Sequence, residues 1–144
     1  MNRRVFLSAG VAAVAIRGSW RFLTGDEAAT LAAVCEQIIP GAGEAGVVNY
    51  IDIQLTRAFK RHRATYRKGL ADVDARSGGR FAELAPDRQA EVLRAVEKNS
   101  REFFELILAH ARQGFYGDPR HGGNRGMVSW KMVGLTYPPI RGRG

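Results

Sequence analysis

Residues 24–41 read TGDEAATLAAVCEQIIPG, and they carry the clearest helical pattern of the chain. Thr24 followed by Glu27 three positions later is a capping box, in which each side chain binds the backbone N–H of the other residue. Pro40 ends the helix because proline has no N–H to donate. The apolar residues between them recur at helical spacing: Ala28, Leu31, Ala32, Cys35 and Ile38. We therefore predict an amphipathic helix that ends before Pro40.

Cys35 is the one cysteine of the chain and lies on the apolar stripe of this helix. A lone thiol cannot form an internal disulfide. We interpret Cys35 as a small buried apolar residue, because free cysteine is among the most buried residue types. A bridge from Cys35 to another chain stays an open alternative.

Four more helices are predicted after a glycine-rich turn at Gly41–Gly46. They begin near Val47, Ala64, Pro86 and Ser100, and the last has Ser100 as its cap and ends near Gly114. The side chains expected to face inward are Val47, Ile51, Leu55, Phe59, Tyr66, Leu70, Val73, Ala90, Leu93, Val96, Phe103, Ile107 and His110. The fifth helix is apolar around most of its circumference, so we expect it at the centre of the bundle.

The prediction for the whole chain is one all-α domain over residues 20–144. It is a small bundle of about five helices with an irregular, glycine-rich C-terminal arm at residues 115–144. No strand-length alternation of β-branched residues interrupts the helical pattern. We expect the cationic run Lys60-Arg61-His62-Arg63 at the end of the second helix, where cations interact favourably with the helix dipole.

The charge of the chain favours an anionic partner. Its 22 Lys and Arg residues against 14 Asp and Glu residues give a net charge of +8. Such an excess is typical of proteins that bind nucleic acid, anionic lipid or acidic proteins. No helix-turn-helix pattern and no basic-aromatic cluster of the RNA-recognition kind is present, so we predict no nucleic-acid partner.

The first 16 residues, MNRRVFLSAGVAAVAI, are interpreted as an export signal. Arg3 and Arg4 precede Phe6 and Leu7, the pattern of the twin-arginine (Tat) signal that directs folded proteins across the inner membrane. The apolar run of about ten residues is too short to span a bilayer of ~30 Å. We therefore expect a periplasmic protein, with cleavage of the leader left open; a basic N-terminal helix is the alternative.

Export in the folded state suits a protein that carries a cofactor or a partner. The histidines, His62, His110 and His121, form no ligand-spaced pair, and the glycines lack the strand-glycine-helix context of a dinucleotide site. We predict no catalytic, cofactor-binding or metal-binding residue in this chain, and hence that it carries a partner. A catalytic role with His110 or His121 as the base stays a rival hypothesis.

The segment from Gly114 to Gly134 carries the most specific pattern of the chain. It reads GFYGDPRHGGNRGMVSWKMVG, with glycines, arginines and aromatic residues around an Asp-Pro turn. This pattern resembles the hallmark of the gluconate 2-dehydrogenase subunit 3 family. Ile38-Ile39-Pro40-Gly41 and the segment around Ile51-Asp52 are similar to the family's N-terminal pattern. His121 departs from the family, in which an aromatic residue is usual at that position.

The resemblance implies a non-catalytic small subunit of a periplasmic oxidoreductase complex that acts on CH–OH groups of sugars or sugar acids. The large subunit would be an FAD-binding dehydrogenase of the glucose-methanol-choline type, with a multihaem cytochrome c as a third subunit in some complexes. FAD and haem c would then belong to the partners. The small subunit would assist assembly and carry the large one through the Tat pathway, and the complex would give it a peripheral association with the membrane.

The C-terminal arm is the predicted partner-binding surface. Its candidate residues are Phe115, Tyr116, Asp118, Arg120, His121, Asn124, Arg125, Trp130 and Lys131. Aromatic residues and arginines dominate the binding energy of protein interfaces, and arginine forms two-pronged pairs with carboxylates. The alternative is a free-standing periplasmic binding or scaffold protein with a basic surface.

Overall fold

Six α-helices follow one another in the computed structural model, which describes residues 19–127. They are α1 (Gly25–Ile38), α2 (Ala42–Ala45), α3 (Val47–Gln54), α4 (Arg63–Ser77), α5 (Pro86–Asn99) and α6 (Arg101–Tyr116). Short 3-10 turns lie at Lys60–His62, Phe81–Glu83, Pro119–His121 and Arg125–Met127. Residues 19–127 contain no β-strand, so the predicted all-α bundle is confirmed. Arg3, Arg4, Phe6, Leu7, Trp130 and Lys131 lie outside the described residues.

The capping box at the start of α1 is formed as predicted. The backbone N–H of Glu27 donates to Thr24 Oγ1 at 3.1 Å, and that of Thr24 donates to Glu27 Oε1 at 2.9 Å. After α1 the Glu36 carboxylate accepts the N–H groups of Gly41 and Gly43 at 2.9 and 2.8 Å. These bonds hold the turn into α2, which forms a single helical turn within the predicted glycine-rich turn.

Helices α1 and α6 share the centre of the bundle, since each of them contacts every other α-helix. Residues 28–32 of α1 are all buried. The expectation that the fifth helix, α6, is apolar around most of its circumference is wrong, because α6 exposes Glu102, Glu105 and Arg112 to solvent. Alanines let neighbouring helices approach α1 from several sides, a property that an apolar stripe does not reveal.

The second predicted helix ends earlier than its apolar stripe suggests. Helix α3 stops at Gln54, and the chain turns before Phe59, which is nevertheless buried. The Phe59 N–H donates to the Gln54 carbonyl at 2.7 Å, and Arg63 Nε donates to the Leu55 carbonyl at 2.8 Å. These donors satisfy two carbonyls at the helix end, which would otherwise lack a helical partner.

The cationic run lies at the opposite end of a helix from the one predicted. Lys60–His62 form the 3-10 turn that leads into α4, so their charges are beside the positive end of its dipole. The first turn of α4 contains no acidic residue to offset them. The expectation of a favourable charge-dipole interaction is therefore wrong.

Ser100 is the N-cap residue of α6, as predicted, but its side chain makes no capping hydrogen bond. Its hydroxyl instead donates to Asp72 Oδ2 at 3.2 Å and links the start of α6 to α4. Helix α6 also runs two residues beyond the predicted end, to Tyr116. On α5 the predicted Leu93 and Val96 are buried, whereas Ala90 is half-buried and Gln89 lies inward beside them.

A buried carboxylate fastens the segment before α1 to α3. Asp52 is 2% exposed, and its Oδ2 accepts the N–H of Arg21 at 2.7 Å. Its Oδ1 accepts the N–H groups of Phe22 and Leu23, both at 2.9 Å. Charged acceptors form the stronger class of hydrogen bond, so this contact fixes where the chain enters the bundle.

No helix within residues 19–127 is both long enough and apolar enough to cross a bilayer.

Candidate partner-binding surface

The C-terminal loop, residues 117–124, folds back onto the bundle after α6. Asn124 is fully buried, and its Nδ2 donates to the Gly117 carbonyl at 2.7 Å, which closes the loop on itself. The backbone of Asn124 has a φ of 48°, a left-handed conformation that asparagine tolerates better than most residues. Asn124 therefore shapes the loop from the inside.

Glycines allow the C-terminal loop, α6 and α3 to touch. A Cβ at Gly123 would lie 2.3 Å from the Gly114 carbonyl oxygen, closer than any real contact. A Cβ at Gly114 would in turn lie 2.8 Å from Cδ2 of Tyr50 on α3. These two positions explain why glycine is needed where the loop crosses the end of α6.

Two other candidate residues are also used within this chain. Phe115 is 1% exposed and belongs to the core. The guanidinium of Arg125 lies over Gly46, where an added Cβ would be 2.5 Å from Arg125 Nε. Together with Asn124, these side chains stabilise the position of the loop against the bundle.

The remaining described candidates face outward from the C-terminal loop and the end of α6. Tyr116 is 55% exposed, and Arg120 and His121 are exposed as well. Asp118 Oδ2 accepts Arg120 Nη2 at 2.8 Å, and its Oδ1 accepts the Arg120 N–H at 2.9 Å. Hydrogen bonds from Arg120 lower the pKa of Asp118 to about 2, so this pair is charged at all ordinary pH values.

A groove of about 370 Å³ separates the exposed loop from α3. Its lining side chains, together with the glycines at positions 114, 117 and 123, are those of Tyr50, Arg112, Gln113, Tyr116, Asp118 and His121. The Tyr50 hydroxyl donates to Gln113 Oε1 at 3.3 Å, and this hydrogen bond holds the Tyr50 ring at the edge of the groove. Aromatic and arginine side chains around an open, glycine-lined groove are typical of a surface that receives part of another protein.

His110 lies in the core and not in the groove. It is 5% exposed, its ring stacks on Phe59 with centroids 3.5 Å apart, and its Nδ1 is 2.9 Å from the Tyr66 hydroxyl. Burial, with smaller contributions from the nearby His62 and Arg61, lowers the pKa of His110 to about 4. The interpretation of His110 as a hydrogen-bonded core or rim histidine is confirmed.

Cys35 is also buried, at 1% exposure, and its thiol is free within the structure. Burial raises its pKa to about 12, so the thiol is neutral and unreactive as the chain is folded. The interpretation of Cys35 as a small apolar core residue is confirmed. Between residues 19 and 127 no group of three or more His, Cys, Asp or Glu side chains could hold a metal ion.

The sequence pattern predicted the position of the loop, but not which of its residues are buried and which are exposed. Apart from Trp130 and Lys131, its candidates separate into those packed inside this chain and those on its surface. Sequence analysis missed Tyr50 and Arg112, which line the groove from α3 and α6. The sequence signal of these two residues was weak, because an aromatic residue on a helix more often faces the core than a groove, and an arginine more often faces solvent.

Comparison with known proteins supports the resemblance of the C-terminal segment. The family model described as gluconate 2-dehydrogenase subunit 3 matches residues 25–136, more than three quarters of the chain. Comparison with curated proteins and with solved structures returned no match. The family match includes both the helical bundle and the loop that closes it. This chain belongs to the gluconate 2-dehydrogenase subunit 3 family.

Proposed function

We propose that this protein is the non-catalytic small subunit of a periplasmic, FAD-dependent dehydrogenase complex that oxidises a sugar or sugar acid. Membership of a dehydrogenase-subunit family carries the proposal, since the family's description is of one subunit among others. The large partner is an FAD-binding subunit of the glucose-methanol-choline type, and a multihaem cytochrome c is the third member where one is present. Flavin and haem belong to those partners.

The exposed part of the C-terminal loop and the adjoining groove support a docking role. Tyr116 and Arg112 offer the two residue types that dominate interface energetics, and α6 presents them beside the loop from a fixed backbone. A surface that is ordered before binding loses little conformational entropy when the partner arrives. The loop is therefore the part of this chain that the flavoprotein covers.

The described residues offer little to the chemistry of oxidation. The one buried histidine is stacked and hydrogen-bonded, and the cysteine is neutral in the core. A redox reaction on a CH–OH group needs a hydride acceptor, which FAD supplies in the partner. The role left to this chain is to bind, stabilise and escort the flavoprotein.

We further propose that the leader carries the assembled pair through the Tat pathway. Arg3 and Arg4 supply the twin-arginine pattern, and the exporter accepts folded proteins, so a flavoprotein without a leader could travel with this subunit.

The export proposal is tested by the location of the flavoprotein after co-expression. Changing Arg3→Lys with Arg4→Lys should leave the flavoprotein in the cytoplasm. The matched control, Arg141→Lys with Arg143→Lys, changes two arginines at the other end of the chain and should leave export intact. A flavoprotein that reaches the periplasm equally well with the first pair of changes contradicts the escort role.

A further inference from the structure

The positive charge of the described residues is concentrated in one stretch. Six Lys and Arg side chains and no Asp or Glu occur between residues 53 and 71. All 14 acidic residues of the chain lie within residues 19–127, so the rest of the described bundle carries more acidic than basic side chains. The basic stretch is thus a local feature and not a consequence of a generally basic protein.

Within this stretch, residues 57–63 form the basic turn. Arg57, Lys60 and Arg61 are exposed, and none of the ion pairs within the described residues includes them. Arg63 differs, because its Nε binds the Leu55 carbonyl and its guanidinium lies over the Phe22 ring. The turn is thus held in place by Arg63 while its three other cations face solvent.

The cations of the basic turn repel one another and also the positive end of α4. Like charges on neighbouring residues lower stability by an amount that depends on ionic strength. No acidic residue occurs in the first turn of α4 to offset them. An arrangement that costs stability and has no role within the fold is typical of a binding surface.

The basic turn continues into the groove beside the C-terminal loop. Phe59, within the turn, meets the Tyr50 ring edge-on with centroids 6.0 Å apart, and Tyr50 lines the groove. Arg112 lines the same groove and makes no ion pair within the described residues. The turn and the groove are therefore neighbours, and the groove adds the Arg112 cation beside the paired Asp118 and Arg120 side chains.

We propose that the basic turn binds an acidic segment of the flavoprotein, so that a single partner covers both the turn and the groove. This inference rests on the proposed function, and it adds the charge of the partner surface and a second contact region. Arg57, Lys60 and Arg61 would accelerate encounter with the acidic surface, while the aromatic groove would hold the complex together.

An acidic protein fits the turn and the groove better than a lipid surface does. Tyr116 is the one large apolar side chain that residues 19–127 leave exposed, and it lies at the groove and not in the basic turn. A membrane contact at the turn would have no apolar side chain to insert and would depend on charge alone. Continuity with an aromatic groove instead favours a protein partner.

The test compares two charge-reversed variants of the full-length chain in binding to the purified flavoprotein. Lys60→Glu with Arg61→Glu should slow association about tenfold at low ionic strength and weaken its dependence on salt. The matched control, Arg94→Glu with Lys98→Glu, makes the same change of net charge at exposed α5 residues that form no ion pair within the described bundle. It should change association less than threefold. Thermal unfolding of both variants verifies that each is folded.

The possible results separate this inference from the proposed function. Equal association rates for the two variants would overturn the basic turn as a binding surface while the complex itself still formed. Failure of the unmodified chain to bind the flavoprotein would overturn both. If the Lys60/Arg61 variant kept its affinity for the flavoprotein but lost binding to vesicles of anionic phospholipid, the turn would be a lipid-binding surface and the inference would be wrong.

Discussion

Asp52 is the residue on which the entry of the chain into the bundle depends. Its carboxylate accepts three consecutive backbone N–H groups from a segment about thirty positions earlier and is almost fully buried. Sequence analysis singled out Asp52 only within a family pattern. A contact so distant in sequence leaves no periodic signal, because the three donors are backbone groups that every residue type provides.

Replacing Asp52→Asn should lower the free energy of unfolding by about 2 kcal/mol or more. One carboxylate oxygen becomes an NH₂ group, which cannot accept the N–H of Arg21 and adds a buried donor. Urea denaturation measures the change. Glu97→Gln makes the same chemical replacement at an exposed residue of α5 and should alter stability by less than about 0.5 kcal/mol. Equal effects at the two positions would contradict the role given to Asp52.

His110 makes stability depend on pH in a defined direction. Its pKa in the fold is about 4, compared with 6.5 for an unperturbed histidine, so the unfolded chain takes up a proton first as the pH falls. The contribution of His110 to the free energy of unfolding is therefore complete above about pH 6.5. As the pH falls from 6.5 to 4 this contribution is lost, which lowers the free energy of unfolding by up to about 3 kcal/mol.

His110→Gln removes this titration while keeping a polar partner for Tyr66. Unfolding at pH 7 and pH 4 should show a smaller loss of stability in the variant than in the unmodified protein. His121→Gln, at an exposed histidine of the C-terminal loop, should leave the pH dependence unchanged. A pH dependence that is the same with and without His110 would show that some other group is responsible.

At the scale of elements, local signals predicted the helices well and their ends less well. The capping box and the position of Cys35 followed from spacing over a few residues. The end of α3 did not, because Phe59 remains buried whether residues 55–59 are a helix or a turn. Ser100 has the right residue type for a cap, but Asp72 on another helix takes its hydroxyl.

The sequence does not show which residues of the C-terminal loop pack against the bundle and which are exposed. Glycines look alike in sequence, yet a Cβ at Gly123 would collide with the α6 backbone, whereas one at Gly79, which follows α4, would meet open space. The difference depends on which element lies opposite, and this is decided by tertiary packing.

Gly123→Ala should displace the C-terminal loop from α6. We expect a loss of roughly 1–3 kcal/mol in the free energy of unfolding, because the obstacle is a backbone oxygen that cannot rotate away. Binding to the flavoprotein should weaken as well. Gly79→Ala is the matched control and should leave stability and binding nearly unchanged. A Gly123→Ala variant as stable as the control would mean that the loop does not need this close contact.

At the scale of the whole molecule, charge distinguishes the bundle from the ends of the chain. Arg3, Arg4, Arg17, Lys131, Arg141 and Arg143 lie outside residues 19–127, and no acidic residue accompanies them. The described bundle is therefore nearly balanced apart from its basic turn. The net charge alone predicted an anionic partner but not where on the chain that partner binds.

Replacing Trp130, which lies beyond the described residues, distinguishes a contact with the partner from a contact in the core of this chain. If its ring anchors the flavoprotein, Trp130→Ala should weaken association by about 2 kcal/mol or more and leave the melting temperature of the isolated subunit unchanged. A melting temperature that falls by several degrees would instead assign Trp130 to the core of this chain. Tyr116→Ala, at the exposed end of α6, provides a comparison and should weaken binding more than it affects melting.

We propose that a flavoprotein covers the exposed side of the C-terminal loop. Hydrogen exchange of the backbone amides, measured for the isolated subunit and for its complex with the co-expressed flavoprotein, locates the covered residues. We predict that binding slows exchange at residues 116–123 and at the basic turn, and has little effect on the amides of α5. A tightly bound complex in which residues 116–123 exchange as fast as in the free subunit would overturn this proposal.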